Sequence, residues 1–137
     1  APVGARVRAM AIRIVRLGSP RLPGEGTRIG TVRHPPRGVA RADWPVQDWF
    51  DAWYPQLAPS AALLREGRDA REAPDWRRVE RRYRREMAAP GSRQALDLLA
   101  ALSRHADLSV GCYCADEARC HRSILRELLA ERGARLA

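Results

Sequence analysis

The last third of the sequence alternates a helical, an extended and a second helical segment, and this order limits the folds the chain can adopt. A helical pattern over residues 92–102 precedes the apolar run Leu108–Cys112, and an amphipathic helix over residues 122–132 follows. A buried strand between two helices is typical of a parallel sheet covered by helices. The pattern therefore predicts an α/β fold with a small, at least partly parallel sheet flanked by helices.

Two further strands and the chain length complete this prediction. Residues 11–17 alternate apolar and basic side chains, and residues 28–33 form a second short apolar segment, so we expect both to be strands beside residues 108–113. A chain of 137 residues is long enough to bury a core of its own. We predict a single α/β domain over residues 1–137, with about residues 1–9 flexible.

The end of the third strand and the loop that leads from it to the last helix hold all three cysteines of the chain, at positions 112, 114 and 120. A loop at a helix N-terminus is a place where α/β proteins bind anions and activate thiols. We predict that Cys120 is the nucleophile or redox thiol and the most reactive of the three. We expect His121 to act as base or donor, while Arg122 and Ser123 bind an anion.

A second group of candidate anion-binding residues follows the second predicted strand. Arg33, His34 and Arg37 surround a stiff Pro-Pro pair, and we expect them to reach the same edge of the sheet as Tyr113. Arginine suits bidentate recognition of a carboxylate or a phosphate. The alternative is a rigid turn with solvated arginines.

Other interpretations of the cysteine segment remain open. Its cysteines and His121 are acceptable zinc ligands by type, but the adjacent pair Cys120-His121 is awkward for one tetrahedral ion, so we expect no metal and no cofactor. Cysteine phosphatases and rhodaneses place an arginine after five intervening residues, whereas this spacing leads from Cys112 to Ala118 and from Cys114 to Cys120. That assignment fails. A purely structural role for buried thiols is the remaining alternative.

An aromatic stretch lies in the first half of the chain. Trp49, Phe50, Trp53 and Tyr54 would share one face of a helical turn. We expect them to form a main core cluster, the alternative being a platform on which a base or ring stacks.

The net charge of +9 comes entirely from arginine, because the chain contains no lysine. The exclusive use of arginine indicates GC-rich coding bias as much as function. The positive charge itself favours anionic partners in general. The helix predicted over residues 75–88 is the most basic segment. We interpret it as a solvated amphipathic face, with a non-catalytic nucleic-acid-binding module as the alternative function.

No apolar run approaches the length of a membrane span, and the odd, clustered cysteines do not resemble a secreted disulfide framework. We expect a cytoplasmic protein that does not contact membranes and needs no disulfide to fold. The sequence does not indicate an oligomeric state.

Four segments resemble the YeaO-like family of bacterial proteins, a domain of unknown function. They are Arg33–Val39, Trp53–Leu64, Trp76–Met87 and the Cys112…Cys120-His121-Arg122 ending. The resemblance implies a compact single-domain α/β fold and brings no assigned reaction. Cys114 departs from the pattern, because related sequences often have an acidic residue there.

These observations lead to one principal hypothesis. The chain has an anion-binding, thiol-containing pocket and acts, as an enzyme or a binding protein, on a phosphorylated or nucleotide-like ligand.

Overall fold

Four parallel strands form one sheet within residues 9–137, the part of the chain that the structure, a computed structural model, describes. The predicted α/β fold with a parallel sheet is confirmed. Our prediction for residues 1–9 falls mainly on residues 1–8, which lie outside the described part. In the order β1-β4-β2-β3 across the sheet, the strands are β1 (Ile12–Arg16), β2 (Thr27–Gly30), β3 (Ala52–Trp53) and β4 (Leu108–Cys112).

Helices connect and cover these strands. None of those within residues 9–137 combines the length and the apolar character needed to cross a bilayer. Short 3-10 turns precede β3, follow it and precede the last helix. The four α-helices of the described chain are α1 (Ala61–Asp69), α2 (Ala73–Met87), α3 (Pro90–Leu102) and α4 (His121–Glu131).

The central strand is β4, and all five of its residues are buried. It pairs with β1 on one side and β2 on the other, so that Val110 lies opposite both Ile14 and Ile29. A strand covered on both faces needs the continuous apolar run that made it recognisable in the sequence. The strands expected at residues 11–17 and 108–113 are thus confirmed to within one residue at each end.

The strand expected over residues 28–33 ends at Gly30 instead. Thr31 still bonds to Gly111 through both its backbone N–H and its hydroxyl, and the chain then leaves the sheet. The Trp53 indole donates to the carbonyl oxygen of Val32 at 2.7 Å and holds this departing segment.

The aromatic stretch is extended, so the prediction of a shared helical face is wrong. The backbone N–H of Asp51 donates to Arg28 and that of Tyr54 to Gly30, which aligns β3 beside β2. The aromatic side chains therefore do not share one face: Phe50 is fully buried, whereas Trp53 is 39% exposed. Strand pairing overrides a helical spacing as short as this one.

The main hydrophobic core lies between the sheet and the helices. Val110 and Ile29 pack there with Tyr83 of α2, Leu96 of α3 and Leu125 of α4. A second, smaller cluster continues it toward the carboxyl ends of the strands. That cluster consists of Leu17, Val32, Phe50, Cys112 and Cys120, with Trp44, Trp49 and Tyr113 packed against it.

A buried ion pair joins the sheet to the loops before and after β2. Arg28 and Glu25 are 0% and 2% exposed, and the guanidinium donates to both carboxylate oxygens at 2.7 and 2.9 Å. Ser109 of β4 donates to the same carboxylate, while Arg28 also reaches the carbonyl oxygens of Ser19 and Asp48. Burial alone would raise the pKa of Glu25, but the bonds from Arg28 and Ser109 outweigh it and lower that pKa.

We expect Glu25→Gln to destabilise the protein strongly, because it leaves the Arg28 charge buried without a counter-charge. The free energy of unfolding should fall by about 3–5 kcal/mol in urea denaturation. Asp97→Asn is the matched control. It breaks a surface pair with Arg132 in which the aspartate is 63% exposed, and it should cost less than about 1 kcal/mol. Equal losses in the two variants would contradict this account of the buried pair.

Candidate functional site

A large surface pocket, here called the edge pocket, lies at the carboxyl ends of the strands, where ligands bind in open parallel sheets. Its volume is about 720 Å³. Its walls come from the segments that follow β1, β2 and β4, together with one residue before β3. The lining residues are Arg16, Leu17, Gly18, Ser19, His34, Pro35, Pro36, Arg37, Val39, Trp49 and Tyr113.

The polar groups of the edge pocket are predominantly cationic. Arg16 and Arg37 line it together with His34, and no carboxylate from residues 9–137 does so. The Arg16 Nε donates to the carbonyl oxygen of Tyr113 at 3.3 Å, while nothing in the described chain pairs with the Arg37 guanidinium. The pocket therefore presents positive charge without an internal counter-charge.

Aromatic rings form the apolar wall of the same pocket. Trp49 and Tyr113 meet edge to face, with ring centroids 5.8 Å apart. The Tyr113 hydroxyl donates to the carbonyl oxygen of His34 at 3.0 Å and so ties this wall to the Pro-Pro loop. Gly18 has φ of +90°, and a Cβ there would lie 2.9 Å from the Trp49 ring, so glycine allows the ring to pack against the chain.

Beyond β4 the structure brings together Cys112, Cys114, Cys120 and His121, a group here called the thiol cluster. The sulfurs of Cys112 and Cys114 are 3.7 Å apart, as are the Cys120 Sγ and the His121 Nδ1. The two sulfurs of Cys112 and Cys120 and a ring nitrogen of His121 all lie within 4.8 Å of one another. All three cysteines are free thiols.

Thr31 fixes the orientation of the His121 ring. The Nε2 lies 2.8 Å from the Thr31 carbonyl oxygen, which only accepts, and 3.2 Å from the Thr31 hydroxyl. The network therefore assigns the ring proton to Nε2. The Nδ1 lone pair is then left facing the Cys120 sulfur.

The three thiols differ in exposure and acidity. The hydrogen bond donated by Cys112 is the largest cause that lowers the pKa of Cys114 to about 3, and Cys120 and the charge of Arg122 act in the same direction. The same bond raises the pKa of Cys112. Cys112 and, to a smaller extent, His121 lower the pKa of Cys120. Only Cys114 is exposed, whereas Cys120 is 3% exposed.

A second cavity of about 160 Å³ adjoins this cluster, between it and the α1–α2 pair. Cys114, Cys120 and His121 line it together with Arg119 and apolar side chains that include Trp76 and Tyr83. The residues that the sequence predicted to line a single pocket are therefore divided between two cavities. His34, Arg37 and Tyr113 line the edge pocket, whereas Cys120 and His121 line the smaller cavity.

Three predicted anion-binding residues line neither of these two cavities. The Arg33 guanidinium donates to the carbonyl oxygens of Pro55, Ala58 and Pro59 and holds the turn before α1. Arg122 is 3% exposed and donates to the Cys114 carbonyl oxygen at 2.6 Å. The Ser123 hydroxyl donates back to the carbonyl oxygen of Cys120.

Sequence reasoning missed several residues of these sites. Arg16 and Trp49 line the edge pocket, and the end of β1 in a parallel sheet is a signal that would have found Arg16. The C-x-C spacing is a signal that would have found the contact between the sulfurs of Cys112 and Cys114. Nothing in the sequence marks Thr31 as the partner of His121.

Residues 12–133 match a family model named DUF488-N3a and described as the active DUF488-N3 subclade. The chain belongs to this family of domains of unknown function. No curated protein and no solved structure matches the chain. The DUF488-N3a region runs from β1 to beyond the end of α4, so the edge pocket and the thiol cluster both lie inside it.

We expect Gly18→Ala to cost more stability than Gly38→Ala, because only the first brings a methyl group against the Trp49 ring. Both glycines have positive φ, but a Cβ at Gly38 would meet nothing within 4 Å. Gly38→Ala should lose about 1–2 kcal/mol of unfolding free energy, and Gly18→Ala about 1–3 kcal/mol more. Urea denaturation, with near-ultraviolet circular dichroism of the tryptophans, measures the difference. Equal losses would show that the ring does not pack there.

Proposed function

We propose that the protein binds a phosphorylated, nucleotide-like ligand in the edge pocket. The observation that carries this proposal is a cavity of about 720 Å³ at the carboxyl edge of a parallel sheet, lined by two arginines and two aromatic rings. Small-molecule sites usually measure roughly 300–1,000 Å³, so the volume suits a ligand of nucleotide size.

The charge of the pocket supports a phosphate group. Arg16 engages only its Nε within residues 9–137, and Arg37 has no partner there, so guanidinium donors remain for a ligand. A planar guanidinium can hold two oxygens of a phosphate at once. The absence of a carboxylate from the described lining leaves that positive charge to the ligand.

The rings support an aromatic group on the same ligand. Trp49 and Tyr113 form one wall, and the stiff Pro35-Pro36 pair forms another. Stacking of a base on an aromatic side chain contributes about 1–3 kcal/mol. A ligand with both a ring and a phosphate would use the two halves of the lining together.

The alternative function, a nucleic-acid-binding module, uses the arginines of α2. Ion pairs with acidic side chains already engage Arg78, Arg82 and Arg84. The exposed Arg77, Arg81 and Arg85 remain as a narrower basic stripe. This stripe lacks the enclosed volume and the aromatic wall of the edge pocket, so the pocket is the stronger candidate.

We propose further that the chain belongs to the YeaO-like part of its family and works in the reducing cytoplasm, where its three cysteines stay thiols. The roles expected for Cys120 and His121 as nucleophile and base stay predictions.

Calorimetric titration with adenosine 5′-monophosphate, inorganic phosphate and adenosine tests the proposed function. The monophosphate should bind more tightly than phosphate or adenosine alone, because it engages both halves of the pocket. Arg37→Gln should weaken its binding roughly ten-fold or more, since it removes a charge-assisted hydrogen bond.

Arg77→Gln is the matched control, because Arg77 is exposed on α2 and does not line the edge pocket. It should leave the affinity for the monophosphate unchanged. Equal affinities in the two variants would contradict the edge pocket as the site. Binding of a single-stranded oligonucleotide that Arg77→Gln weakens more than Arg37→Gln would favour the nucleic-acid alternative.

A further inference from the structure

We propose that the thiol cluster is a zinc site, in which Cys112, Cys114, Cys120 and His121 supply the four ligands of one Zn²⁺ ion. This inference is independent of the edge pocket and its ligand. It reverses our expectation from the sequence that the chain holds no metal.

The distances between the donor atoms suit a tetrahedral ion. With Zn–S bonds of about 2.3 Å and Zn–N bonds of about 2.0–2.1 Å, two sulfurs lie roughly 3.8 Å apart and a sulfur and a nitrogen roughly 3.6 Å apart. The Cys112–Cys114 and Cys120–His121 pairs are both at 3.7 Å. The remaining separations among Cys112, Cys120 and His121 are at most 4.8 Å, so these three donors close around an ion with small side-chain movements. Cys114 joins them through its 3.7 Å contact with Cys112.

The histidine presents the nitrogen that a metal needs. Its Nε2–H is engaged by the Thr31 carbonyl oxygen at 2.8 Å, which leaves the Nδ1 lone pair directed toward Cys120. A backbone carbonyl that holds the other ring nitrogen is the usual support of a metal-binding histidine. The contact fixes both the tautomer and the direction of the ring.

Adjacent residues are awkward ligands for one tetrahedral ion, but the backbone at the start of α4 lets both Cys120 and His121 reach the same site. Cys120 is extended, with φ of −134° and ψ of 152°, and His121 is the first helical residue. The chain turns between them, so that both side chains converge on the cavity beside α2 instead of diverging. Sequence spacing alone could not show this convergence.

Charge near the cluster also favours a zinc–thiolate centre. Three thiolates around Zn²⁺ leave one net negative charge, and the buried guanidinium of Arg122 lies against the Cys114 carbonyl oxygen. The Arg122 Nε is buried and has no hydrogen-bond partner in the described chain. Thiolate and imidazole donors select zinc over the hard cations magnesium and calcium. A site with four protein ligands is structural and fixes the β4–α4 loop, so this proposal replaces the roles of nucleophile and base that the sequence predicts for Cys120 and His121.

Elemental analysis of protein purified under reducing conditions without added metal tests this proposal. We expect about one zinc per chain, and a loss of most of it in Cys112→Ser and in Cys120→Ser. Ser123→Ala is the matched control, because its hydroxyl lies at the start of α4 but only bonds to the backbone, and it should retain the zinc.

Cobalt(II) substitution of the wild-type protein provides a second readout that does not depend on the folding of the variants. Thiolate-to-cobalt charge transfer and the intense visible bands of tetrahedral cobalt are expected in the wild-type protein. Removal of zinc by a chelator should lower Tm, and added zinc should restore it.

The proposal is overturned if purified protein holds less than about 0.1 zinc per chain and neither zinc nor chelator changes Tm. Rapid alkylation of Cys114 and Cys120 in the folded, zinc-treated protein would likewise show free thiols. Stoichiometric iron in place of zinc would contradict the identity of the ion. None of these outcomes changes the expected binding of adenosine 5′-monophosphate, so the two proposals fail separately.

Discussion

The pairing of β4 with β1 on one side and β2 on the other positions both candidate sites. Its register sets Cys112 beside Arg16 and Gly111 beside Gly30, so three strands end at the same edge of the sheet. The loops that follow them form the edge pocket, and the thiol cluster begins at the last residue of β4. A shift of one residue would exchange the side chains of β4 that face the two sides of the sheet.

The alternation of side chains beyond β4 separates the two candidate sites. The sulfurs of Cys112 and Cys114 meet on one side of the chain, whereas the ring of Tyr113 between them lines the edge pocket. The backbone of these three residues is therefore the wall between a cationic pocket and a thiol-rich cluster.

Features with a long or regular pattern were predictable from the sequence, and features that depend on contacts between distant residues were not. The apolar run of β4 and the apolar stripe of α2 can be recognised in the sequence, because buried positions follow one another in β4 and recur at helical spacing in α2. The two-residue strand β3 does not, since its conformation depends on Asp51 and Tyr54 pairing with β2. Arg33 looked like a ligand-binding residue, yet three backbone carbonyls engage it. The convergence of Cys120 and His121 depends on one turn of the backbone.

A crystal structure of the protein grown with adenosine 5′-monophosphate would show whether the edge pocket binds this ligand. We expect density for the ligand in the edge pocket, with the phosphate on Arg16 and Arg37 and the base against Trp49 or Tyr113. Density for the phosphate on the arginines of α2, with the edge pocket occupied by water alone, would contradict it.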